Sequence, residues 1–275
     1  MIRLAVRVRR EQAELVLAEL LSLAPSGVEE VDADADVVEY AVYGAPGELP
    51  ALPAVRACAG GALVEVVTSE VADDWSERWR EFHRPVVVGG GRIVVRPPWE
   101  PAVGAEIDLV IDPGQAFGTG AHATTRLCLE LMLGVPVGGG FVDLGCGSGV
   151  LAIAAARLGY APVVALDFDP ASVVATGENA LANRVEVSVR RFDLRGDGEV
   201  PGARTVAANL LGPLLREWAA RLAGAGGSAV VPERLIASGL LVREADGIAA
   251  AFAAAGLREA RRLESGEWAA LLLVG

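Results

Sequence analysis

The chain contains no lysine, and all 24 of its basic residues are arginine. Its 36 acidic residues leave a net charge of −12. An acidic surface repels phosphate backbones, so we expect no direct binding of nucleic acid, whereas a basic protein partner is favoured electrostatically. The missing lysine itself is attributed to a preference for GC-rich codons.

Cysteine, histidine and long apolar runs are also scarce. The three cysteines, Cys58, Cys128 and Cys146, have neither a disulfide framework nor metal-ligand spacing, which indicates a reducing cytoplasm. The two histidines, His83 and His122, are too few for a His-rich metal site. No apolar run approaches the ~20 residues of a membrane span, and the N-terminus lacks signal-peptide order. We therefore expect a cytoplasmic monomer without a metal or a membrane partner.

The first seventy residues show strand and helix patterns in the order β-α-β-β-α-β. Strands are predicted at 2–8, 28–31, 36–43 and 62–71, and helices at 11–24 and within 47–61. This order is typical of a small α+β domain of the ferredoxin-like type, here residues 1–70.

Residues 71–104 are predicted to form a linker of one helix followed by strands. Trp75, Trp79 and Phe82 share one face of that helix, and Pro85 ends it. The aromatic face either packs on a neighbouring domain, which we favour, or faces a substrate.

From residue 105 onward, strand and helix patterns alternate. Strands are predicted at 107–111, 140–144, 162–167, 185–189, 204–208, 227–231, 257–263 and 267–274, and helices at 122–134, 148–159, 170–183, 212–223 and 243–255. Such alternation predicts a doubly wound parallel sheet. The last two strands, joined by a turn at 264–266, form an antiparallel hairpin typical of Rossmann-like methyltransferases.

Three glycines, Gly145, Gly147 and Gly149, follow an apolar strand with the spacing G-x-G-x-G. Glycine permits positive φ and a close approach of the backbone to a ligand, and ligands of such sheets lie beyond the carboxyl ends of the strands. In the dinucleotide fingerprint the third glycine comes one residue later, where this chain has Val150. The spacing therefore disfavours a nucleotide-dependent oxidoreductase and favours a site for S-adenosylmethionine (SAM). A purely structural loop is the alternative.

Polar residues follow the next strands. Asp167 is predicted to accept hydrogen bonds from both ribose hydroxyls and Asp169 to cap the next helix, although the two roles could be exchanged. Asp193 either lies near the adenine or is a turn carboxylate. Asn209 is predicted to face the sulfonium methyl and orient an amine nucleophile; a helix-capping role is its alternative.

Four stretches together resemble one family: "DPGQAFGTGAHATT", "DLGCGSGVLAIAAARLG", "ALDFDP" and "ANLLGP". They are similar to the PrmA family, methyltransferases that modify protein eleven of the large ribosomal subunit. The segment "DDWSERWREFHRPVVVGGGRIVVRPPW" resembles the linker of that family. The resemblance implies a ferredoxin-like substrate-recognition domain, a flexible connection and a seven-stranded SAM-dependent methyltransferase domain. It also implies SAM contacts at Thr125, Gly145, Asp167 and Asn209.

The first of these stretches is predicted to fold over the bound cofactor. Phe117 supplies an apolar lid over the methyl donor, while Gly118 and Thr119 add a pliable main chain and a hydroxyl. His122 is either a base or a helix cap, and we favour the cap. Ala123 replaces a proline of the family pattern, so this loop is expected to be less rigid. Extra residues around Pro232 weaken the prediction of the substrate more than that of the cofactor.

The resemblance implies N-methylation of lysine side chains of a basic ribosomal protein, with an N-terminal amine as a further acceptor. Methyl transfer is a direct displacement that requires proximity, in-line geometry and a neutral amine. A methyltransferase acting on another protein or on a small molecule, and a SAM-binding module without catalysis, are the alternatives.

Overall fold

The fold was derived from a computed structural model. It describes residues 2–13, 16, 17, 20, 23, 28–32, 36–44, 49, 50, 52–70, 83–113, 120–196, 198–224 and 230–275. The chain divides into two compact units, Met1–Phe82 and His83–Gly275. Residues 83–104, predicted as part of a linker, fall in the second unit. The functional boundaries at 70 and 105 stay predictions, and the linker helix with its three aromatic residues lies outside the described residues.

The first unit has one four-stranded antiparallel sheet. Its elements are β1 (Ile2–Arg9), β2 (Glu29–Asp32), β3 (Val37–Gly44), α1 (Leu52–Ala59) and β4 (Leu63–Glu70). The strand order β2-β3-β1-β4 confirms the ferredoxin-like α+β prediction. Much of the predicted helix 11–24 lies outside the described residues, and its positions 13, 16, 17, 20 and 23 are helical.

Alternation along β1 separates the two faces of this sheet. Leu4, Val6 and Val8 are buried in the core of the unit. On the other face, Arg3 and Arg7 both bond to the carboxylate of Glu39. The hydrogen bond from Arg3 is the main cause that lowers the pKa of Glu39, because it favours the charged form.

The second unit is built on a seven-stranded mixed sheet. Its strands are β8 (Phe141–Leu144), β9 (Val163–Asp167), β10 (Ser188–Arg191), β11 (Thr205–Asn209), β12 (Arg234–Leu241), β13 (Arg258–Ser265) and β14 (Trp268–Val274). Its helices are α2 (Ala123–Leu133), α3 (Val150–Leu158), α4 (Pro170–Ala182), α5 (Gly212–Gly224) and α6 (Val242–Ala253). The order is β10-β9-β8-β11-β12-β14-β13, with β14 antiparallel to both neighbours. The Rossmann-like α/β fold with a terminal antiparallel hairpin is therefore confirmed.

Four predicted details of this unit were wrong. The strand predicted at 185–189 is β10, which begins only at Ser188. The strand predicted at 107–111 belongs to a separate sheet of β5 (Val86–Val88), β6 (Ile93–Arg96) and β7 (Ile107–Val110), because its edge pairs with β6. In place of the strand predicted at 227–231, β12 begins at Arg234, and the described residues 230 and 231 are not in a strand. The hairpin turn lies at residues 266 and 267 rather than 264–266, because the β13–β14 pairing continues to Ser265.

Helices cover both faces of the seven-stranded sheet. Phe141 of β8 belongs to one buried layer, and its neighbour Val142 belongs to the layer on the opposite face. The strand order reverses between β8 and β11, and this switch point is where ligands of doubly wound sheets bind. The glycine loop and Asn209 lie at the carboxyl ends of these two strands.

Candidate functional site

The loop between β8 and α3 is built from glycines in the left-handed region. The φ angles are +79° at Gly145, +54° at Gly147 and +83° at Gly149, which side chains rarely tolerate. The main-chain N–H groups of Gly145 and Cys146 both donate to the carbonyl of Leu166, at 2.8 and 3.0 Å. This pair of bonds fixes the start of the loop to the end of β9.

The carboxylate of Asp167 faces the same loop. Its Oδ2 accepts the N–H of Gly147 at 2.9 Å, and its Oδ1 accepts the N–H of Asp169 at 3.0 Å. Each carboxylate oxygen can accept a second hydrogen bond. Asp167 is therefore oriented by the main chain with acceptor capacity left over. The capping role of Asp169 is confirmed, because its side chain accepts the N–H of Ala171 in the first turn of α4.

A polar face of α4 supports the loop from behind. Thr176 donates to the carbonyl of Gly147 at 2.9 Å, and Asn179 donates to the carbonyl of Ser148 at 2.9 Å. One turn further, the buried Asn183 donates to the carbonyl of Asn179 at 2.8 Å. The sequence prediction missed these residues. Polar side chains at helical spacing in "TGENALAN" were the available signal.

Asp143 in β8 is a second residue that the sequence prediction missed. Its Oδ2 accepts the N–H of Ala152 at 2.9 Å, but its buried Oδ1 has no hydrogen-bond partner in the described part of the chain. Burial, with a smaller contribution from the charge of Asp167, raises the pKa of the Asp143 carboxyl to about 7. A charged residue within the otherwise apolar strand "FVDL" was the signal.

A second group of predicted polar residues, Thr125 and Asn209, lies where α2 and β11 meet. The amide nitrogen of Asn209 lies 3.5 Å from the hydroxyl of Thr125, at the limit of a hydrogen bond. Thr125 is buried in the first turn of α2, while Asn209 ends β11 and is half-buried. These two residues are 84 positions apart in sequence, and the fold places them side by side.

His122 caps α2, as favoured from the sequence. Its Nδ1 accepts the N–H of Thr124 at 3.4 Å and lies 2.8 Å from the Thr124 hydroxyl. Burial, and then the charge of Arg126, lower the pKa of His122, so the neutral ring that can accept these bonds is favoured.

Four predicted residues remain, Asp193, Phe117, Gly118 and Thr119. Asp193 accepts the N–H of Arg195 at 2.9 Å, which confirms its interpretation as a turn carboxylate; a place near the adenine stays a prediction. Phe117, Gly118 and Thr119 lie outside the described residues.

Two cavities, of about 410 and 530 Å³, lie away from the predicted residues, beside β7 and at the amino ends of β9 and β10. Within the described ranges there is no cluster of three or more His, Cys, Asp or Glu suited to a metal ion. No helix in the described part of the chain is long and apolar enough to span a bilayer.

The seven-stranded sheet, its terminal hairpin and the glycine loop at the switch point define a Rossmann-like methyltransferase. A family model described as ribosomal protein L11 methyltransferase (PrmA) matches residues 51–274. The chain belongs to this family.

Curated relatives and a solved structure agree with this family. A ribosomal protein L11 methyltransferase from Pelotomaculum thermopropionicum is 43% identical over 219 residues, which cover 77% of this chain and 69% of the relative. One from Burkholderia cenocepacia is 38% identical and covers 91% and 90% of the two chains. The crystal structure of a ribosomal protein L11 methylase from Lactobacillus delbrueckii subsp. bulgaricus is 26% identical, with a TM-score of 0.59, covering 70% of this chain and 98% of that one.

The cofactor of this methyltransferase is SAM, and the residues at the switch point fit it. Gly145 and Gly147 have left-handed φ angles and no Cβ, so the main chain of the loop can approach a ligand closely, and Asp167 keeps acceptor capacity for hydroxyl donors. The buried Oδ1 of Asp143, which has no hydrogen-bond partner in the described part of the chain, adds a further acceptor in the strand that leads into this loop.

Proposed function

We propose that this chain transfers methyl groups from SAM to amine nitrogens of ribosomal protein L11, with lysine side chains and the N-terminal amine as acceptors. The relatives from P. thermopropionicum and B. cenocepacia carry L11 methyltransferase activity in their names. A net charge of −12 favours a basic substrate. The observation that carries the proposal is the Thr125–Asn209 pair at the carboxyl end of β11, beside the glycine loop of β8.

In the cofactor half of the site, Asp167 would accept hydrogen bonds from the ribose hydroxyls. Its two main-chain bonds orient the carboxylate, which supports this role. Gly145 and Gly147 would hold the amino-acid part of the cofactor, and Asp193 is proposed to lie towards the adenine. The sequence prediction that Phe117, Gly118 and Thr119 would cover the bound cofactor is kept as part of this proposal. When bound, SAM supplies an electrophilic methyl group on its sulfonium.

In the acceptor half, Asn209 orients the amine. Its Nδ2 donates towards Thr125, so its Oδ1 remains to accept an N–H of the incoming amine and direct the nitrogen lone pair. A lysine amine has a pKa of ~10.4 in water, so the proton must leave before the transfer, and burial of the amine favours its neutral form. Because Nδ1 of His122 is bonded to Thr124, we assign His122 to the helix cap. The proton of the acceptor amine then leaves to water.

We assign residues 1–70 to recognition of the substrate, 71–104 to the connection and 105–275 to cofactor binding and transfer. The glycine loop, Asp167, Thr125 and Asn209 all lie in the second unit, which supports this division. The first unit contains a separate core under its own sheet.

Four forms of purified L11 test the acceptor: unmodified protein, protein with acetylated lysines, protein with a blocked N-terminus and protein with both blocks. We expect labelled methyl from SAM on the unmodified protein and on each singly blocked form, and none when both blocks are combined. Another basic ribosomal protein is the control. Labelling of that control alone, or of doubly blocked L11, contradicts the proposal.

A further inference from the structure

Strand β12 contains a bulge next to the transfer site. In its pairing with β14, Ala237 is opposite Leu271 and Leu240 is opposite Ala269. The two residues between, 238 and 239, therefore oppose a single residue of β14. Bulges of this kind bend a strand and re-aim neighbouring groups, and they are frequent next to active sites.

The bulge is in contact with the main chain that follows Asn209. The main-chain carbonyl of Ser238 accepts the N–H of Leu210 at 3.0 Å. Gly239 has φ of +81°, and a Cβ on it would lie 2.5 Å from the carbonyl oxygen of Leu210 and 2.8 Å from its carbonyl carbon. These are backbone atoms, so no side-chain rotation could relieve the overlap. Only glycine at position 239 lets these two main-chain segments approach this closely.

The side chain of Leu210 contacts the cofactor loop on its other side. A Cβ on Gly145 in its ideal position would lie 2.4 Å from Cδ2 of Leu210. Leu210 is therefore held between two glycines, one on the bulge and one on the loop that binds the cofactor. Since Asn209 directly precedes Leu210, this packing determines how far Asn209 lies from that loop.

We propose that Gly239 is a positioning residue for methyl transfer. Because it has no side chain, the main chain of Leu210 packs directly against the bulge, and this packing places Asn209 beside the cofactor loop. The proposal rests on the role assigned to Asn209 above. Ser238 anchors the bulge, because its fully buried hydroxyl donates to the carbonyl of Ala269 at 2.9 Å.

Gly239→Ala tests the proposal, with Gly256→Ala as the matched control. Gly256 has a φ of +90°, and a Cβ on it would have no atom within 4 Å, so its variant carries the left-handed backbone cost without the collision. We expect kcat on L11 to fall about 10- to 100-fold in Gly239→Ala, because a displacement near 1 Å at a reacting group has effects of that size. The Kd for SAM should stay within about threefold, because Gly147 and Asp167 are held by other contacts.

The control variant should keep kcat within about twofold of the wild type. Unchanged kcat in Gly239→Ala, or an equal loss in both variants, overturns the proposal.

A double-mutant cycle separates this inference from the proposed function. If Gly239 acts through Asn209, then adding Gly239→Ala to Asn209→Ala should change kcat by less than about twofold. If the double variant shows the full additional loss of kcat, the positioning role of Gly239 is overturned, but the proposed methyl transfer to L11 is not. An Asn209→Ala variant with normal kcat removes the role of Asn209, and with it this inference.

Thermal denaturation checks that the variants are folded. If Gly239→Ala lacks a cooperative transition, Ser238→Ala decides the question, because it removes the anchor to Ala269 without a collision. We expect a severalfold loss of kcat with the Kd for SAM retained. Normal kcat in Ser238→Ala then overturns the proposal.

Discussion

The two halves of the site are held in different ways. In the cofactor half, main-chain and side-chain hydrogen bonds of 2.8–3.0 Å fix the glycine loop and the carboxylate of Asp167. In the acceptor half, the side chain of Asn209 makes one hydrogen bond within the described residues, of 3.5 Å to Thr125, and is placed by the packing of Leu210. The cofactor half is thus oriented by hydrogen bonds and the acceptor half by shape. We infer that cofactor affinity and turnover depend on separate residues.

The largest effect is expected on the acceptor half. Asn209→Ala should lower kcat by about 100-fold, as for the loss of one oriented polar group in an active site. The Kd for SAM should change far less, because the interaction matters chiefly in the transition state. Steady-state kinetics on L11 with a parallel calorimetric titration measure both quantities. A raised KM for SAM with normal kcat would move Asn209 to the cofactor half.

A change in the cofactor half should show the opposite pattern. Asp167→Ala removes a charged acceptor, and hydrogen bonds to charged groups contribute roughly 1.5–3 kcal/mol each, so SAM affinity should fall by at least about 10- to 100-fold, the effect of one such bond. Asp169→Ala is the neighbouring control, since Asp169 serves the cap of α4. If only the control weakens SAM binding, the ribose role belongs to Asp169.

The buried carboxyl of Asp143 sharpens the comparison through pH. Its pKa in the folded protein, about 7, lies above the ordinary carboxyl value because of burial, so the folded state binds the proton more tightly than the unfolded state. The stability that this proton gives is present below about pH 4 and is lost as pH rises towards 7. Urea denaturation should therefore show Asp143→Asn gaining stability relative to the wild type between these pH values. A pH-independent difference would contradict the assigned titration.

The smallest effect is expected at Thr125, whose hydroxyl contacts the amide of Asn209. Thr125→Val keeps the size of the side chain but removes the hydroxyl that accepts from Asn209, a weak bond at 3.5 Å. We expect a loss of kcat of only a fewfold and a cooperative thermal transition. A loss as large as that of Asn209→Ala would mean that the hydrogen bond, and not the packing of Leu210, orients the amide.

The same contrast explains what the sequence could predict. The glycine loop, Asp167 and the cap at Asp169 are local in sequence, because a strand, a loop and a helix start follow one another within a short stretch. Their spacing therefore specifies their roles. Asp143 lies in that stretch as well, but its unpartnered oxygen follows from burial, which a spacing pattern does not show.

The acceptor half depends on long-range packing. Leu210 meets Gly145 and Gly239, which lie far from it in the chain, and no motif describes such a contact. The bulge also explains why the predicted position of β12 is wrong. Its residues "SG" interrupt the apolar run of "RLIASGLL", so the pattern favours the apolar "AVV" before Pro232 as the strand.

Single-turnover methylation of L11 at saturating SAM, with Asp167→Ala and Asn209→Ala side by side, tests the separation of the two halves most directly. Saturation removes the effect of weaker cofactor binding, so Asp167→Ala should recover a rate near that of the wild type while Asn209→Ala stays about 100-fold slow. Equal rates for the two variants, whether both fast or both slow, would contradict the separation.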